Sequence, residues 1–333
     1  MGKRLSYLAA LIAVLSLTSS LGCARPVPVA TKTLPPLATS QPPTAGLTAS
    51  AAPSATGLPV TPVVTDYELI RNVEYGQGGG HALLLDIYRP LRPITTPTPA
   101  VIWIHGGGWS TGDKYPSSVT LLAKAGFFCV SINYRLSGEA KFPAAVEDCK
   151  CAVRWLRANA ASFNVNPDAI GVWGGSAGGH LSLMVACADA SAGLEGNGGW
   201  AGVSSRVQAV CSYYGPTDLT VAFGQASVDS FIGASLQQNP DAFRRASPVF
   251  YVSADDPPLL MVHGDKDPVV PLAQSEEMLA AYQEQGLDAR LIVVRNAGHG
   301  FSQIGSQPIS PSKAEYEQAV LDFFVQNLCH APR

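Results

Sequence analysis

The sequence has little or nothing of several features that define large protein classes. With a net charge of −3 and a pI of about 6.1 it carries no basic excess, so nucleic acid is not an expected partner. Its seven cysteines are too few for a fold built on a disulfide scaffold. No G-K-[ST] triplet is present, which argues against a phosphate-binding P-loop. Cys149 and Cys151 have no second pair of ligands beside them, so they are not expected to form a metal site.

The N-terminus also lacks an apolar run of membrane-spanning length. The run from Leu5 to Leu17 falls short of the roughly 20 residues that a spanning helix needs. Because two basic residues precede it, residues 1–23 are interpreted as an export signal. Cys23 follows small and apolar residues and resembles the lipidation site of a bacterial lipoprotein. A plain secretory signal cleaved after Ala24 is the alternative.

A proline-rich segment separates this signal from the rest of the chain. Residues 24–65 contain nine prolines, which predicts an extended, solvated tether. Residues 66–333 are then the folded domain. We therefore expect an exported protein, held by a lipid on the extracytoplasmic side of a membrane, with a secreted protein as the alternative.

Within the folded domain, strand-like and helix-like segments alternate. Short apolar runs such as 100–104, 127–132 and 258–262 are separated by segments with helical periodicity. This alternation predicts an α/β fold, with a mostly parallel central sheet and helices on both faces. A helix is predicted over 115–125. Residues 215–256 show no strong strand signal and are expected to form a small lid or insertion.

One Gly-rich segment has the spacing of a catalytic turn. Gly174, Ser176 and Gly178 stand in a G-x-S-x-G pattern between an apolar strand and an apolar helix. Such a sharp turn forces a strained backbone at its tip and pushes the serine hydroxyl outward, while small neighbours leave room. Alone the pattern is a weak signal, because Gly-rich strand–helix turns also bind phosphates.

Two residues at later strand ends complete a candidate triad. A serine hydroxyl needs a base to become nucleophilic, and His299 lies in a Gly-flanked loop after a strand. Asp267, before a proline in the turn after the previous strand, is the predicted partner of the imidazole. Asp265 in the same turn is the rival. The order Ser–Asp–His is that of α/β-hydrolases.

A run of glycines after an early strand supplies candidate oxyanion donors. In the H-G-G-G segment at 105–108, glycines let backbone N–H groups approach a substrate closely. Gly107, Gly108 and Ala177 are the predicted donors. His105 is expected to brace the loop through a hydrogen bond. Because strands of a parallel sheet end at one edge, this loop and the three triad candidates are expected to converge there.

Taken together, these motifs resemble one family. The domain resembles an α/β-hydrolase of the HGGG esterase/lipase group, hormone-sensitive-lipase-like, and is similar to the bifidobacterial-type feruloyl esterase and acetylxylan/acetyl esterase family. The resemblance covers nearly all of residues 66–330. It rests on H-G-G-G-W at 105–109, G-D-K at 112–114, A-V-R-W-L-R at 152–157, G-G-S-A-G-G-H at 174–180, H-G-D-K-D at 263–267 and G-H-G-F at 298–301. It implies Ser176 as nucleophile, Asp267 as acid and His299 as base.

The expected function is a serine carboxylic-ester hydrolase that forms an acyl-enzyme on short-acyl, acetyl or feruloyl esters, with those of plant polysaccharide as candidates. This chemistry requires neither a metal nor an organic cofactor. The predicted substrate pocket includes Trp109, Tyr134 and Tyr214, although Trp109 could equally pack behind the oxyanion loop. Two alternatives stay open at this point. One is a kynurenine-formamidase-like or peptidase-like serine hydrolase, since these enzymes share the motifs. The other is a non-catalytic surface lipoprotein that only binds its partner.

Overall fold

An eight-stranded sheet forms the centre of the fold. The computed structural model describes residues 66–91 and 96–329, so the predicted export signal, tether and Cys23 lie outside the described residues. In chain order the strands are β1 (Tyr67–Gly78), β2 (His81–Pro90), β3 (Thr98–Ile104), β4 (Phe128–Ile132), β5 (Val165–Gly175), β6 (Ala209–Tyr213), β7 (Leu259–Gly264) and β8 (Ala289–Val294). Their order across the sheet is β1-β2-β4-β3-β5-β6-β7-β8. Strand β2 pairs antiparallel with β1 and β4, and every other pair is parallel.

Helices cover both faces of this sheet. The α-helices of the described residues are α1 (Thr120–Lys124), α2 (Ala144–Ala158), α3 (Ala160–Phe163), α4 (Ala177–Cys187), α5 (Gln225–Ile232), α6 (Pro240–Arg245), α7 (Ala273–Glu284) and α8 (Lys313–Phe324). One hydrophobic core lies between the sheet and α2, α4 and α7. A second core lies between the sheet and α1 and α8. The predicted mostly parallel sheet with helices on both faces is thereby confirmed. Among these described helices, none combines the length and apolarity needed to cross a membrane.

Burial explains why the central strands were recognisable in the sequence. Every residue of β4, β6 and β7 is buried, as expected for strands of a parallel sheet that is covered on both faces. Such strands read as continuous apolar runs. The edge strand β1 is exposed or half-buried along most of its length.

The helix predicted over 115–125 is wrong for its first half, because only Thr120–Lys124 is helical. Pro116 biases the residue before it away from helical backbone angles. Next, the Ser117 hydroxyl accepts a hydrogen bond from the Val119 N–H at 3.3 Å. Such local side-chain bonds compete with helix formation, so the helix begins only after them.

The expected insertion at 215–256 contains α5, α6 and a short 3₁₀ turn at Pro248–Tyr251. It packs onto the core beside α4 rather than standing free, because Phe231 of α5 is buried and stacks on Trp109, with ring centroids 4.7 Å apart. The insertion therefore forms part of the wall around the carboxyl edge of the sheet.

At that edge the start of α4 lies directly against the end of β3. A Cβ atom at Gly178 would lie 2.0 Å from the carbonyl oxygen of Ile104 and 2.6 Å from that of His105. Both clashes involve backbone atoms, which have no alternative rotamer. Only glycine therefore permits this approach, and the approach fixes where α4 begins.

Replacing Gly178 with alanine is expected to lower the free energy of unfolding by about 2 kcal/mol or more, although alanine favours a helix over glycine by about 1 kcal/mol. Urea unfolding of the full chain gives the measurement. Gly138→Ala is the matched control, because nothing lies within 4 Å of a Cβ built at Gly138. A Gly178→Ala protein as stable as this control would contradict the close approach of α4 to β3.

Candidate active site

Ser176 occupies the tip of the turn between β5 and α4. Its φ of 56° and ψ of −123° lie in a region that non-glycine residues rarely adopt. The Ser176 N–H donates to the carbonyl of Tyr213 at 2.8 Å, which ties the turn to the neighbouring strand β6. The predicted strained turn is thus present, and it holds the hydroxyl clear of the strand.

The glycines of the G-x-S-x-G pattern have a direct steric reason. A Cβ at Gly174 would lie 2.3 Å from the carbonyl oxygen of Gly178. Across the turn, a Cβ at Gly106 of the H-G-G-G segment would lie 2.8 Å from the carbonyl oxygen of Gly175. Glycine is therefore required at position 174 because the turn closes tightly on itself. It is required at position 106 because the H-G-G-G segment passes directly against the turn.

His299 lies between Ser176 and Asp267. Its Nε2 is 2.9 Å from the Ser176 Oγ, and its Nδ1 is 2.7 Å from the Asp267 Oδ2. The turn around the imidazole is made possible by Gly300, whose φ is 68°. Three residues separated by up to 123 positions in the chain are thus joined by two hydrogen bonds, as a serine–histidine–aspartate relay requires.

The Asp267 carboxylate is held in place as an anion. Its side chain is fully buried, and its Oδ1 accepts hydrogen bonds from the N–H groups of Val269 and Val270 at 2.8 and 3.0 Å. Burial alone would raise the pKa of this carboxyl, but hydrogen bonds from His263, His299 and the two backbone amides outweigh it and lower the pKa well below its usual range. Asp265, the rival candidate, is exposed.

The predicted oxyanion donors border the same cavity as Ser176. Gly107 and Gly108 have φ values of 114° and 56°, and the loop between them and Thr111 is closed by the Thr111 N–H, which donates to the Gly107 carbonyl at 3.0 Å. Ala177 is the first residue of α4, where a backbone N–H has no partner within the helix. Within the described residues no acceptor engages the N–H groups of Gly107, Gly108 or Ala177. All three groups therefore remain candidate donors to a negative charge that develops beside Ser176.

Tyr134 supports this loop from behind, and its predicted place in the pocket is wrong. It is not among the residues that line the cavity around Ser176. Its ring stacks on His105 with centroids 4.4 Å apart, and its hydroxyl donates to the His105 carbonyl at 3.1 Å. His105 itself bonds the Gly106 carbonyl through Nδ1 at 2.7 Å, which agrees with the expected bracing role. The direction in which a side chain points after a strand end depends on tertiary packing, which cannot be inferred from the spacing of residues in the sequence.

Trp109 both lines the cavity and packs behind the loop. Its indole N–H donates to Nδ1 of His180 at 3.1 Å, and the Nε2–H of His180 donates to the Ala246 carbonyl at 2.7 Å. Burial lowers the pKa of His180 to about 4, so this imidazole is neutral at pH 7. His180 therefore connects the oxyanion loop, α4 and the insertion.

A cavity of about 540 Å³ opens above these groups. Tyr214 borders it with a φ of 39°, and its ring meets that of His299 edge-on at 4.6 Å. Burial raises the pKa of the Tyr214 phenol to about 12, so it stays neutral. Of the described residues that line the cavity, none is Asp, Glu, Lys or Arg. The walls are mainly apolar and include Trp103, Trp109, Phe223, Val228, Val269 and Val270.

Several of these residues were not singled out from the sequence. Phe223 and Val228 belong to the insertion, which has no motif, and their side chains reach the cavity only through tertiary packing. Trp103 and Val269 did carry a signal, because one lies two residues before His105 and the other two residues after Asp267. Proximity to a motif could have identified these two.

Comparison with known proteins gives a consistent set of similarities. A model of the BD-FAE family matches residues 85–282. Esterase LipQ of Mycobacterium tuberculosis is 37% identical over 243 residues, which cover 69% of this chain and 56% of LipQ. The chain therefore spans little more than half the length of this curated relative.

Two solved structures share the fold. A truncated carbohydrate esterase from gut microbiota has a TM-score of 0.71 and 31% identity, covering 80% of this chain and 98% of that one. Thermogutta terrifontis esterase 2, in a form phosphorylated by paraoxon, has a TM-score of 0.66 and 25% identity, covering 83% of this chain and 100% of that one. With the sheet order above, these similarities identify an α/β-hydrolase fold.

Replacing Asp267 with asparagine is expected to lower kcat/KM for an ester by about 10²- to 10⁴-fold, because the amide keeps the shape but removes the charge that orients and stabilises the imidazolium. Asp265→Asn is the matched control: it removes one carboxylate from the same turn, at an exposed position. Steady-state kinetics of both variants make the comparison. Equal losses in the two variants would contradict the pairing of His299 with Asp267.

Proposed function

This chain belongs to the BD-FAE family of α/β-hydrolase esterases, and on that premise we propose that it is a serine carboxylic-ester hydrolase. One observation carries the proposal: a continuous hydrogen-bonded line from Ser176 through His299 to Asp267. That line borders a cavity in which backbone N–H groups lie free to bind an oxyanion. A hydrogen-bonded triad beside backbone donors is the arrangement that acyl transfer requires, whereas a protein that only binds its ligand needs neither.

In the first half of the proposed reaction, the Ser176 Oγ attacks the ester carbonyl carbon while the His299 Nε2 accepts the hydroxyl proton. The carbonyl oxygen becomes an oxyanion, which the N–H groups of Gly107, Gly108 and Ala177 stabilise. When the tetrahedral intermediate collapses, His299 gives its proton to the leaving alcohol. An acyl group is then bound covalently to Ser176.

In the second half, a water molecule replaces the alcohol. His299 accepts a proton from the water as its oxygen attacks the acyl carbonyl, and the same donors stabilise the second oxyanion. Collapse releases the carboxylic acid and returns the proton to Ser176. Asp267 keeps one tautomer of His299 throughout and stabilises its charged form in both halves.

The cavity favours an uncharged substrate. With no Asp, Glu, Lys or Arg in its lining, it offers a charged acyl group no partner and would impose a desolvation cost. Acetyl and feruloyl groups are neutral and fit this environment. The similarity to a carbohydrate esterase supports carbohydrate esters as substrates, and we propose those of plant polysaccharide among them.

The proposal also includes a location. Cys23 is the proposed lipid attachment site, and residues 24–65 are the proposed tether that holds the catalytic domain outside the cell membrane. The support is the sequence pattern around Cys23 and the proline content of the segment after it.

Replacing Cys23 with serine, in the full chain and in a host that processes lipoproteins, is expected to move the protein out of the membrane fraction, because the acyl chains need the thiol. Cys329→Ser, at an exposed cysteine, is the matched control and should stay with the membrane. Fractionation followed by immunoblotting measures this. Equal membrane content of the two variants would remove the lipidation proposal while leaving the esterase proposal intact.

The full chain is expected to hydrolyse p-nitrophenyl acetate, and Ser176→Ala is expected to lower kcat by about 10³- to 10⁶-fold, because no other group can form the acyl-enzyme. A parallel series with butyrate and octanoate measures how long an acyl chain the cavity takes. Ser162→Ala, at an exposed serine near the other end of β5, is the control. A folded protein that turns over none of these esters would overturn the esterase proposal and favour an amide or formamide substrate.

A further inference from the structure

A second histidine, His263, lies buried behind Asp267 and has no part in the reaction steps above. It is the fifth residue of β7, and none of its side chain is exposed. Its Nδ1 is 2.7 Å from the Ser275 Oγ on α7. Its Nε2 is 2.9 Å from the Val270 carbonyl oxygen and 3.4 Å from the Asp267 Oδ2.

These contacts determine where the ring carries its proton. The Val270 carbonyl oxygen can only accept, so the Nε2 of His263 must donate to it. The Ser275 hydroxyl has a proton to give and faces Nδ1, so Nδ1 can accept it. In this arrangement His263 donates through Nε2 and accepts at Nδ1.

Val270 connects this histidine to the carboxylate at both of its backbone groups. Its N–H donates to the Asp267 Oδ1 at 3.0 Å, while its carbonyl accepts from His263. The turn from Asp267 to Val270 is thus held from one side by the carboxylate and from the other by His263. The same Nε2–H also faces the Asp267 oxygen that His299 binds.

We propose that His263 is a positioning residue: it clamps the turn that carries Asp267, so that the carboxylate points at His299. The Ser275 hydroxyl fixes the tautomer and the orientation of the clamp. This inference rests on the proposed function, because it assigns His263 a role through the Asp267–His299 pair. The groups that face the pair are Ser176, His263, the amides of Val269 and Val270, and the Tyr214 ring.

Two substitutions at His263 distinguish a residue that positions the Asp267 turn from one that only fills volume in the core. His263→Leu keeps a side chain of similar volume but removes the contacts with Val270, Ser275 and Asp267, and it is expected to lower kcat by about tenfold to a hundredfold, the usual range for a lost supporting contact. KM should change by less than about threefold, since no substrate contact is lost. His263→Gln retains an N–H donor for the Val270 carbonyl and is expected to recover most of kcat.

The hydrogen bond from His299 to Asp267 provides a readout that a purely structural role would not move. With the clamp lost, the bond from the His299 Nδ1–H to the Asp267 Oδ2 should lengthen, so the NMR signal of this proton should move upfield in the Leu variant and return with Gln. Proton NMR of the full chain without substrate, at one fixed pH, measures this. A protein without esterase activity would therefore overturn the proposed function, while the NMR signal would still decide the role of His263.

An unchanged kcat and an unchanged His299 Nδ1–H signal in a folded His263→Leu protein would overturn the inference. A downfield shift of this signal would also overturn it, because it would mean that His263 only competes for the carboxylate.

If the Leu variant does not fold, Ser275→Ala decides. It removes only the hydroxyl that fixes the ring, and it is expected to lower kcat severalfold and to move the His299 Nδ1–H signal upfield. No change in either quantity would overturn the inference.

Discussion

The strained backbone of Ser176 is the constraint on which the rest of the structure depends. A non-glycine residue in that conformation costs on the order of 1–3 kcal/mol and persists only where its surroundings over-determine it. Here the surroundings are β6, which accepts the Ser176 N–H, and β3, against which the next turn of α4 is pressed. A parallel sheet with close-packed helices supplies such rigid neighbours, so the fold can be understood as the support for one turn.

Around this rigid turn, the other groups of the site come from loops that buried histidines hold. His180 joins the oxyanion loop to the insertion, and His263 joins β7 to the turn of Asp267. Each ring accepts at one nitrogen and donates at the other, so one side chain joins two segments of the chain at once. An aliphatic residue would fill the same space without fixing a direction. Preorganised donors and a fixed base are what electrostatic stabilisation of a transition state requires.

The sequence allowed the candidate triad to be predicted because its residues come directly after predicted strands. The three triad candidates lie after β5, β7 and β8, and parallel strands end at one edge, so their meeting follows from order alone. The preference for Asp267 over Asp265 also agrees with the geometry. Side-chain direction did not follow from order, as Tyr134 demonstrates, and the helix over 115–125 was shortened by local hydrogen bonds. The contacts of His180 with Trp109 and Ala246 could not be predicted, because a single histidine forms no repeating pattern that would indicate its distant partners.

The bond between His180 and the insertion has a consequence for how this enzyme scaffold can diversify. The acceptor is the main-chain carbonyl of Ala246, a group that every amino acid provides. Substitutions along residues 215–256 that keep the chain path and the packing of Phe231 on Trp109 can therefore accumulate without removing the anchor. Substitutions at Phe223 and Val228 can change the shape of the cavity in this way while the oxyanion loop keeps its position. Substrate choice and catalytic geometry are thus separable traits, open to independent selection.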